Sequence, residues 1–181
     1  MAEPPLSSGR DEMSQLSFGA FGGRTDLMAQ FDPSRPDALP HAGTFNNNVL
    51  TMSAGLAGLT EVYTPDAAVA LNARGDALRT RLNNLCRRQE VPMQFTGLGS
   101  MLNVHMTDAP IHTPADAAQG NQPLRELFFF DMLNAGIWLA RRGMINLSLP
   151  IDDTECDLLV NAVATFIQER AALLDEHATG S

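Results

Sequence analysis

Lysine is missing from this chain. All 12 basic side chains among the 181 residues are arginines, so the only primary amine is the N-terminus, and Schiff-base chemistry by a lysine side chain is excluded. Cysteine is scarce as well: Cys86 and Cys156 sit in helical patterns without CxxC spacing, which predicts reduced thiols and a cytoplasmic protein. Cysteine and histidine nowhere cluster at zinc-ligand spacing, so no metal site is expected. There is no surplus of cation either; the formal net charge of -9 argues against a nucleic-acid partner. No apolar run is long enough to cross a bilayer, and residues 1–10 lack the basic-then-apolar order of a signal peptide, so no membrane association is expected.

What is present is a hydrophobic share of 44% with 18% charged residues, the balance of a soluble globular protein. The length suffices for one full-sized core and for no more than two small domains. Residues 1–15 read as a flexible lead. Residues 16–40 read as a strand at Leu16–Gly23, a short helix over Asp26–Phe31 capped by Thr25, and a proline-rich connector. From Asn47 to Val62, the apolar residues Val49, Leu50, Met52, Leu56, Leu59 and Val62 recur at helical spacing, with Ala and Gly on the packed side.

Thr64-Pro65-Asp66 is a helix start, and the helix is expected to reach about Arg88. Its buried stripe is Val69, Leu71, Leu78, Leu82, Leu85 and Cys86. Gly75 weakens it locally, and Arg74, Arg79, Arg81, Arg87 and Arg88 read as a solvated face. Val91–Phe95 and Met101–Met106 read as strands joined by residues 96–100, followed by a long polar loop from Thr107 to Gln122. Leu124–Arg142 reads as a helix made apolar nearly all round by Phe128, Phe129 and Phe130, ended by Gly143. A last strand over Met144–Leu149 and a helix opened by the acidic Asp152–Glu155 and reaching about Leu174 complete the order, with a flexible tail over 175–181. This succession predicts an α+β fold, a small mostly antiparallel sheet covered by helices.

The chemistry-bearing stretch is His41-Ala42-Gly43-Thr44-Phe45-Asn46-Asn47-Asn48. Gly43 permits close backbone approach, Thr44 offers a hydroxyl, and asparagines follow where the free N–H groups of a helix start lie. The stretch fits an anion site, typically phosphate, and equally fits ordinary helix capping. Farther on, Met101, Asn103 and His105 alternate with Leu102, Val104 and Met106, which places His105 on the face away from the aliphatic set, toward ligand or solvent. His41 and His105 are the acid–base candidates, though each also fits a structural role. Asp131, Glu126 and Cys86 are possible helpers. Arg24 and Arg142 suit carboxylate or phosphate, alongside Gly43, Thr44 and Asn46.

Four stretches in this order, Ser17–Arg24, His41–Asn48, Gly97–Met101 and Arg142–Pro150, carry a family resemblance. Together they resemble the C-terminal part of class III aminotransferases of the pyridoxal-phosphate fold type I, most of all glutamate-1-semialdehyde 2,1-aminomutase, over about Leu16–Leu174. The resemblance implies that 16–40 corresponds to the end of the large domain and 41–174 to the small C-terminal domain. It also implies that Gly43 and Thr44 cross a dimer interface to hold the cofactor phosphate of the partner subunit. The family's large domain, with the aspartate that pairs with the pyridine nitrogen, has no counterpart in this chain. The family's lysine precedes the Ser-Phe-Gly-Ala-Phe-Gly-Gly stretch, and an ungapped alignment lays Arg10 on it; a permanently protonated arginine forms no imine. No cofactor is therefore expected, pyridoxal phosphate being the ancestral one, and no aminotransferase chemistry by the chain as it stands.

Without a large domain, a strand edge and apolar faces lie uncovered, which predicts a homodimer or higher oligomer. A start at Met1 with an unstructured lead is expected of a natural short protein. The leading functional expectation is a repurposed pyridoxal-phosphate-independent isomerase, cyclase or lyase in a biosynthetic pathway. It would act on a small organic metabolite by acid–base or binding-driven chemistry. The alternatives are a non-catalytic pseudoenzyme subunit that binds a full-length relative, and a fragment of a pyridoxal-phosphate-dependent aminomutase.

Overall fold

The computed structural model describes residues 21–41 and 48–178, without the side chains of 175–178. They fall into two units that divide between Thr64 and Pro65. In the first unit, α1 (Thr25–Met28) tightens into a 3-10 turn over Ala29–Phe31. Its N-cap is Arg24 rather than Thr25, and the Arg24 guanidinium bonds the carboxylate of Asp26 in the first turn. The strand expected at Leu16–Gly23 lies for the most part outside the described residues. Next comes α2 (Val49–Ala57), prolonged by a π turn over Gly58–Val62. Asn48 is its N-cap, accepting from Thr51 N–H at 3.1 Å, so this one asparagine is a capping residue. Of the Ala and Gly expected on the packed side of α2, Gly55 is buried, beside Thr51, and Ala54 is exposed, while the aliphatic row faces outward.

The second unit is built on α3 (Pro65–Arg88), whose ends fall where the Thr-Pro start and the terminal arginines put them. Leu71, Leu78, Leu82, Leu85 and Cys86 are buried as expected, but Val69 is exposed, because two residues before Leu71 it points to the opposite side of the helix. Gly75 takes its place among the buried positions. A Cβ there would stand 2.6 Å from the carbonyl carbon of Gly99 and 2.9 Å from Ser100 Cα. The residue is therefore a contact point for the hairpin as well as a poor helix former.

Strands β1 (Gln94–Leu98), β2 (Met101–His105) and β3 (Met144–Asn146) form one antiparallel sheet in the order β1-β2-β3. β1 lies three residues later than the expected Val91–Phe95, since the hairpin closes over Gly99 and Ser100 alone. Gly99 carries the positive φ, 55°, that so short a connection needs, and Gly97, within β1, has φ 139°. The outer edge of β1 is sealed by α3. The Asn83 amide accepts from Phe95 N–H and donates to Phe95 C=O, both at 2.8 Å, and Arg79 donates to Gly97 C=O.

Other boundaries moved for local reasons. The expected long loop contains α4 (Pro114–Ala118), nucleated by a capping box between Thr113 and Asp116. α5 (Gln122–Asn134) stops well before Arg142, because the chain reverses at Gly136 with φ 80°. β3 is three residues long instead of six. α6 (Asp153–Glu169) opens on a capping box of Asp152 and Glu155 and breaks at Arg170 into α7 (Ala171–Ala178). Three of the arginines taken for a solvated face make long-range bonds: Arg79 to Gly97 C=O, Arg74 to Ile151 C=O at 2.7 Å and Arg81 to Asp157. The core between sheet, α3, α5 and α6 centres on Phe128, Phe166, Leu82, Val104 and Val163, with Phe128 edge-on to both Phe95 and Phe166. No helix among the described residues is long and apolar enough to cross a membrane.

Candidate functional site

The two histidines occupy different units. His41 lies in the first, its ring stacked on Phe21 with centroids 5.0 Å apart and edge-on to Phe31 at 6.4 Å. Gly43, Thr44 and Asn46 lie outside the described residues. Arg24 is engaged with Asp26 by two bonds, at 3.0 and 2.7 Å.

His105 belongs to the second unit, and the expectation that it faces ligand or solvent is corrected by its burial, with 5% of its surface exposed. Alternation along β2 identifies two faces, but the chain after Met106 folds back and covers this end of the strand. Asn121 N–H bonds Met106 C=O, and Gln94 reaches the carbonyls of Thr107 and Ala109. The imidazole Nε2 bonds Thr96 Oγ1 at 2.8 Å, a diagonal neighbour across the β1–β2 register. Nδ1, like Asn103 Oδ1 on the same face of β2, is buried without a hydrogen-bond partner among the described residues. Burial first, and then the charge of Arg125, holds the pKa of His105 below the ordinary histidine value and so favours the neutral ring.

Arg142 opens onto a shallow cleft of about 550 Å³ with Arg125, Arg141, Glu126, Gln122 and Pro123. Its guanidinium also approaches Met144 Sδ at 3.1 Å. Arg141 pairs with Glu126 and lies over the Phe130 ring at 5.7 Å. This concentrates three guanidinium groups at the start of α5, an arrangement suited to a carboxylate or phosphate. Sequence reasoning singled out only Arg142. Arg141 was adjacent and could have been included, whereas Arg125 reaches the cleft only through the fold-back of the chain onto β2.

The remaining helpers are committed elsewhere. Asp131 forms a bidentate pair with Arg170, at 2.8 and 3.1 Å, tying α5 to the α6–α7 junction. Glu126 is held by Arg141. The Cys86 thiol is pushed up to about 12 by burial, and burial also raises that of Cys156, so neither is a thiolate nucleophile at neutral pH. Among the described residues, no three His, Cys, Asp or Glu side chains are grouped to hold a metal ion.

The comparisons with known proteins agree on one family. Its sequence model, described as aminotransferase class-III, matches residues 13–167. The β-phenylalanine transaminase of Variovorax paradoxus is 52% identical over 159 residues, covering 88% of this chain and 36% of its own. A glutamate-1-semialdehyde 2,1-aminomutase of Nitratidesulfovibrio vulgaris is 35% identical over 143 residues, covering 79% of this chain and 33% of its own. The crystal structure of the Variovorax β-phenylalanine aminotransferase matches with a TM-score of 0.78 at 50% identity, over 84% of this chain and 35% of that one. The chain spans about a third of the length of the curated relatives it matches. Identity is higher to the β-phenylalanine transaminase than to this aminomutase, a distinction that short glycine-rich motifs do not draw.

Proposed function

This chain belongs to the class III aminotransferases, and from that premise we propose that it acts as the small-domain part of an aminotransferase completed by a lysine-bearing large domain outside these 181 residues. The observation that carries this reading is the aliphatic row of α2. Val49, Leu50 and Leu56 of α2 are exposed by 76%, 72% and 65%, and Val62 of the π turn that prolongs it by 60%. Each such side chain gains roughly 1.5–3 kcal/mol on full burial, so the row represents several kcal/mol awaiting a covering surface. A second copy or the large domain meets that need.

The family's cofactor, pyridoxal phosphate, finds no covalent anchor among the residues present. The chain has no lysine, and its basic side chains are all guanidinium groups that form no imine. Its three-arginine cleft suits an anionic group on a substrate or cofactor held by the large domain. The similarity to a β-phenylalanine transaminase supports an amino donor of that type for the assembled enzyme. The other reading, a pyridoxal-phosphate-independent isomerase or lyase, needs an accessible acid–base group, whereas His105 is buried with its Nε2 bonded to Thr96 Oγ1.

Co-expression of the 181-residue chain with the part of the Variovorax enzyme outside the matched region tests the proposal. The expected result is a co-purifying complex that retains pyridoxal phosphate and turns over β-phenylalanine. The chain alone is expected to self-associate and to retain no cofactor on any internal residue after borohydride reduction. Failure of the two polypeptides to associate, with the chain a monomer across a dilution series in sedimentation, would overturn the reading.

A further inference from the structure

Another cleft, of about 640 Å³, opens where the C-terminal end of α3 meets β1 and the segment after β2. It shares no residue with the arginine cleft at the start of α5. Four charged side chains line it: Arg79, Arg87, Glu90 and Asp108. Arg79 is engaged by Asp76 and by Gly97 C=O. Arg87 donates only to the neutral amide of Asn84. Neither the Glu90 nor the Asp108 carboxylate has a hydrogen-bond or ion-pair partner among the described residues. The cleft thus offers a ligand one guanidinium and two carboxylates, beside an apolar lining that includes the buried Pro92 and Met93.

The backbone under these groups is pinned. α3 ends in two reversed bonds, Glu90 N–H to Arg87 C=O at 3.3 Å and Val91 N–H to Cys86 C=O at 3.2 Å, which set Glu90 in the left-handed region at φ 52°. Glycine is the usual residue at that point of a helix end, since a Cβ is strained there. Glu90 is the one non-glycine residue with a positive φ among the described residues. Its carboxylate gives the fold no bond in return and lines the cleft instead. On the β1 side, the Gln94 amide donates to Thr107 C=O at 2.9 Å and to Ala109 C=O at 2.7 Å, which holds Asp108 between two fixed neighbours.

We propose that this cleft is an effector site for a free amino acid with an apolar side chain, bound as its zwitterion. Arg87 takes the ligand carboxylate, Glu90 and Asp108 take its ammonium group, and Pro92 and Met93 meet its side chain. A simple anion would face two carboxylates, and a simple cation would face two guanidinium groups. A ligand that carries both charges is matched at both ends. The C-terminal end of the α3 dipole favours the ammonium group further. The site lies wholly on this chain, so the proposal does not rest on the small-domain reading.

The test titrates the isotope-labelled full chain with phenylalanine, phenethylamine and hydrocinnamate, which carry both charges, the ammonium alone and the carboxylate alone. Phenylalanine is expected to shift the amide resonances of Arg87, Glu90, Val91 and Asp108 saturably, and to bind at least about tenfold more tightly than either analogue. Glu90→Gly removes the carboxylate at a backbone angle that suits glycine. It is expected to lower the affinity by about tenfold while the urea midpoint stays at or above that of the parent chain. Arg87→Gln, at an exposed position, is expected to lower the affinity likewise and leave the circular dichroism unchanged. The absence of saturable shifts up to about 10 mM would overturn the proposal. So would an analogue that binds as tightly as phenylalanine, or an affinity that survives both substitutions. Shifts confined to Arg125, Arg141 and Arg142 would place the amino acid in the other cleft and overturn it as well. Each of these results leaves the small-domain reading standing.

Discussion

Gly75→Ala exchanges the poorest helix former but proline for the best, and on an exposed helix it would stabilise by about 1 kcal/mol. Here the added methyl points at backbone, 2.6 Å from the Gly99 carbonyl carbon and nearer still to its oxygen. Nor can the hairpin retreat freely. The turn is tied to the same helix by Ser100 N–H donating to Asn72 Oδ1 at 3.0 Å and Gly99 N–H donating to Asp76 Oδ1 at 3.2 Å. Overpacking costs roughly 1–3 kcal/mol, and stretching the two bonds removes about 1 kcal/mol each. Against the helix gain, the net expectation is a loss of about 2–4 kcal/mol. Urea unfolding followed by far-ultraviolet circular dichroism reads the loss, and a slope of about 2 kcal/mol per molar converts it into a midpoint lowered by about 1–2 M. Gly58 provides the contrast: its φ is -56° and a Cβ would meet nothing within 4 Å. Gly58→Ala should leave the far-ultraviolet circular dichroism melt unchanged or raise it. A Gly75→Ala midpoint at or above that of the parent chain would refute the packing argument.

Asn83→Ala strands Phe95 N–H and C=O at the sheet edge, with an expected loss of about 2–3 kcal/mol in urea unfolding and a new concentration-dependent association by light scattering. His105 sets a pH dependence. Its folded pKa lies below the unfolded value of 6.5, so the unfolded chain binds the extra proton; stability is full above about pH 7 and declines as the pH falls toward the folded value. Urea midpoints measured down this range should fall for the parent chain and flatten for His105→Gln; parallel slopes would remove His105 as the cause.

The helix α3 and the antiparallel sheet were legible because their signals are local: a Thr-Pro start, a 3.6-residue stripe and alternation along β2. The misplaced boundaries trace to single residues whose conformation is set by tertiary contacts. Gly136 ends α5 eight residues before Arg142, and Gly97 belongs to a strand although it reads as turn. At the site, the alternation of β2 was read correctly, but burial on its second face depends on a fold-back between residues 107 and 121 that no period in the sequence announces. The aliphatic row of α2 had the spacing of a core helix and lies outside; spacing shows that one face is apolar and not which surface covers it.

The Asn83 and Arg79 contacts to β1 also set an order of events during synthesis. A helix of 24 residues closes by local bonds, and it leaves the ribosome before the hairpin that follows it. The side chains that take the place of a missing strand are thus already arrayed when β1 emerges, and the nascent hairpin meets its own helix before it meets another chain. A circular permutant opened between α3 and β1 would keep the Asn83 and Arg79 contacts to β1 and lose that timing, and its yield of soluble protein would measure how much the timing matters.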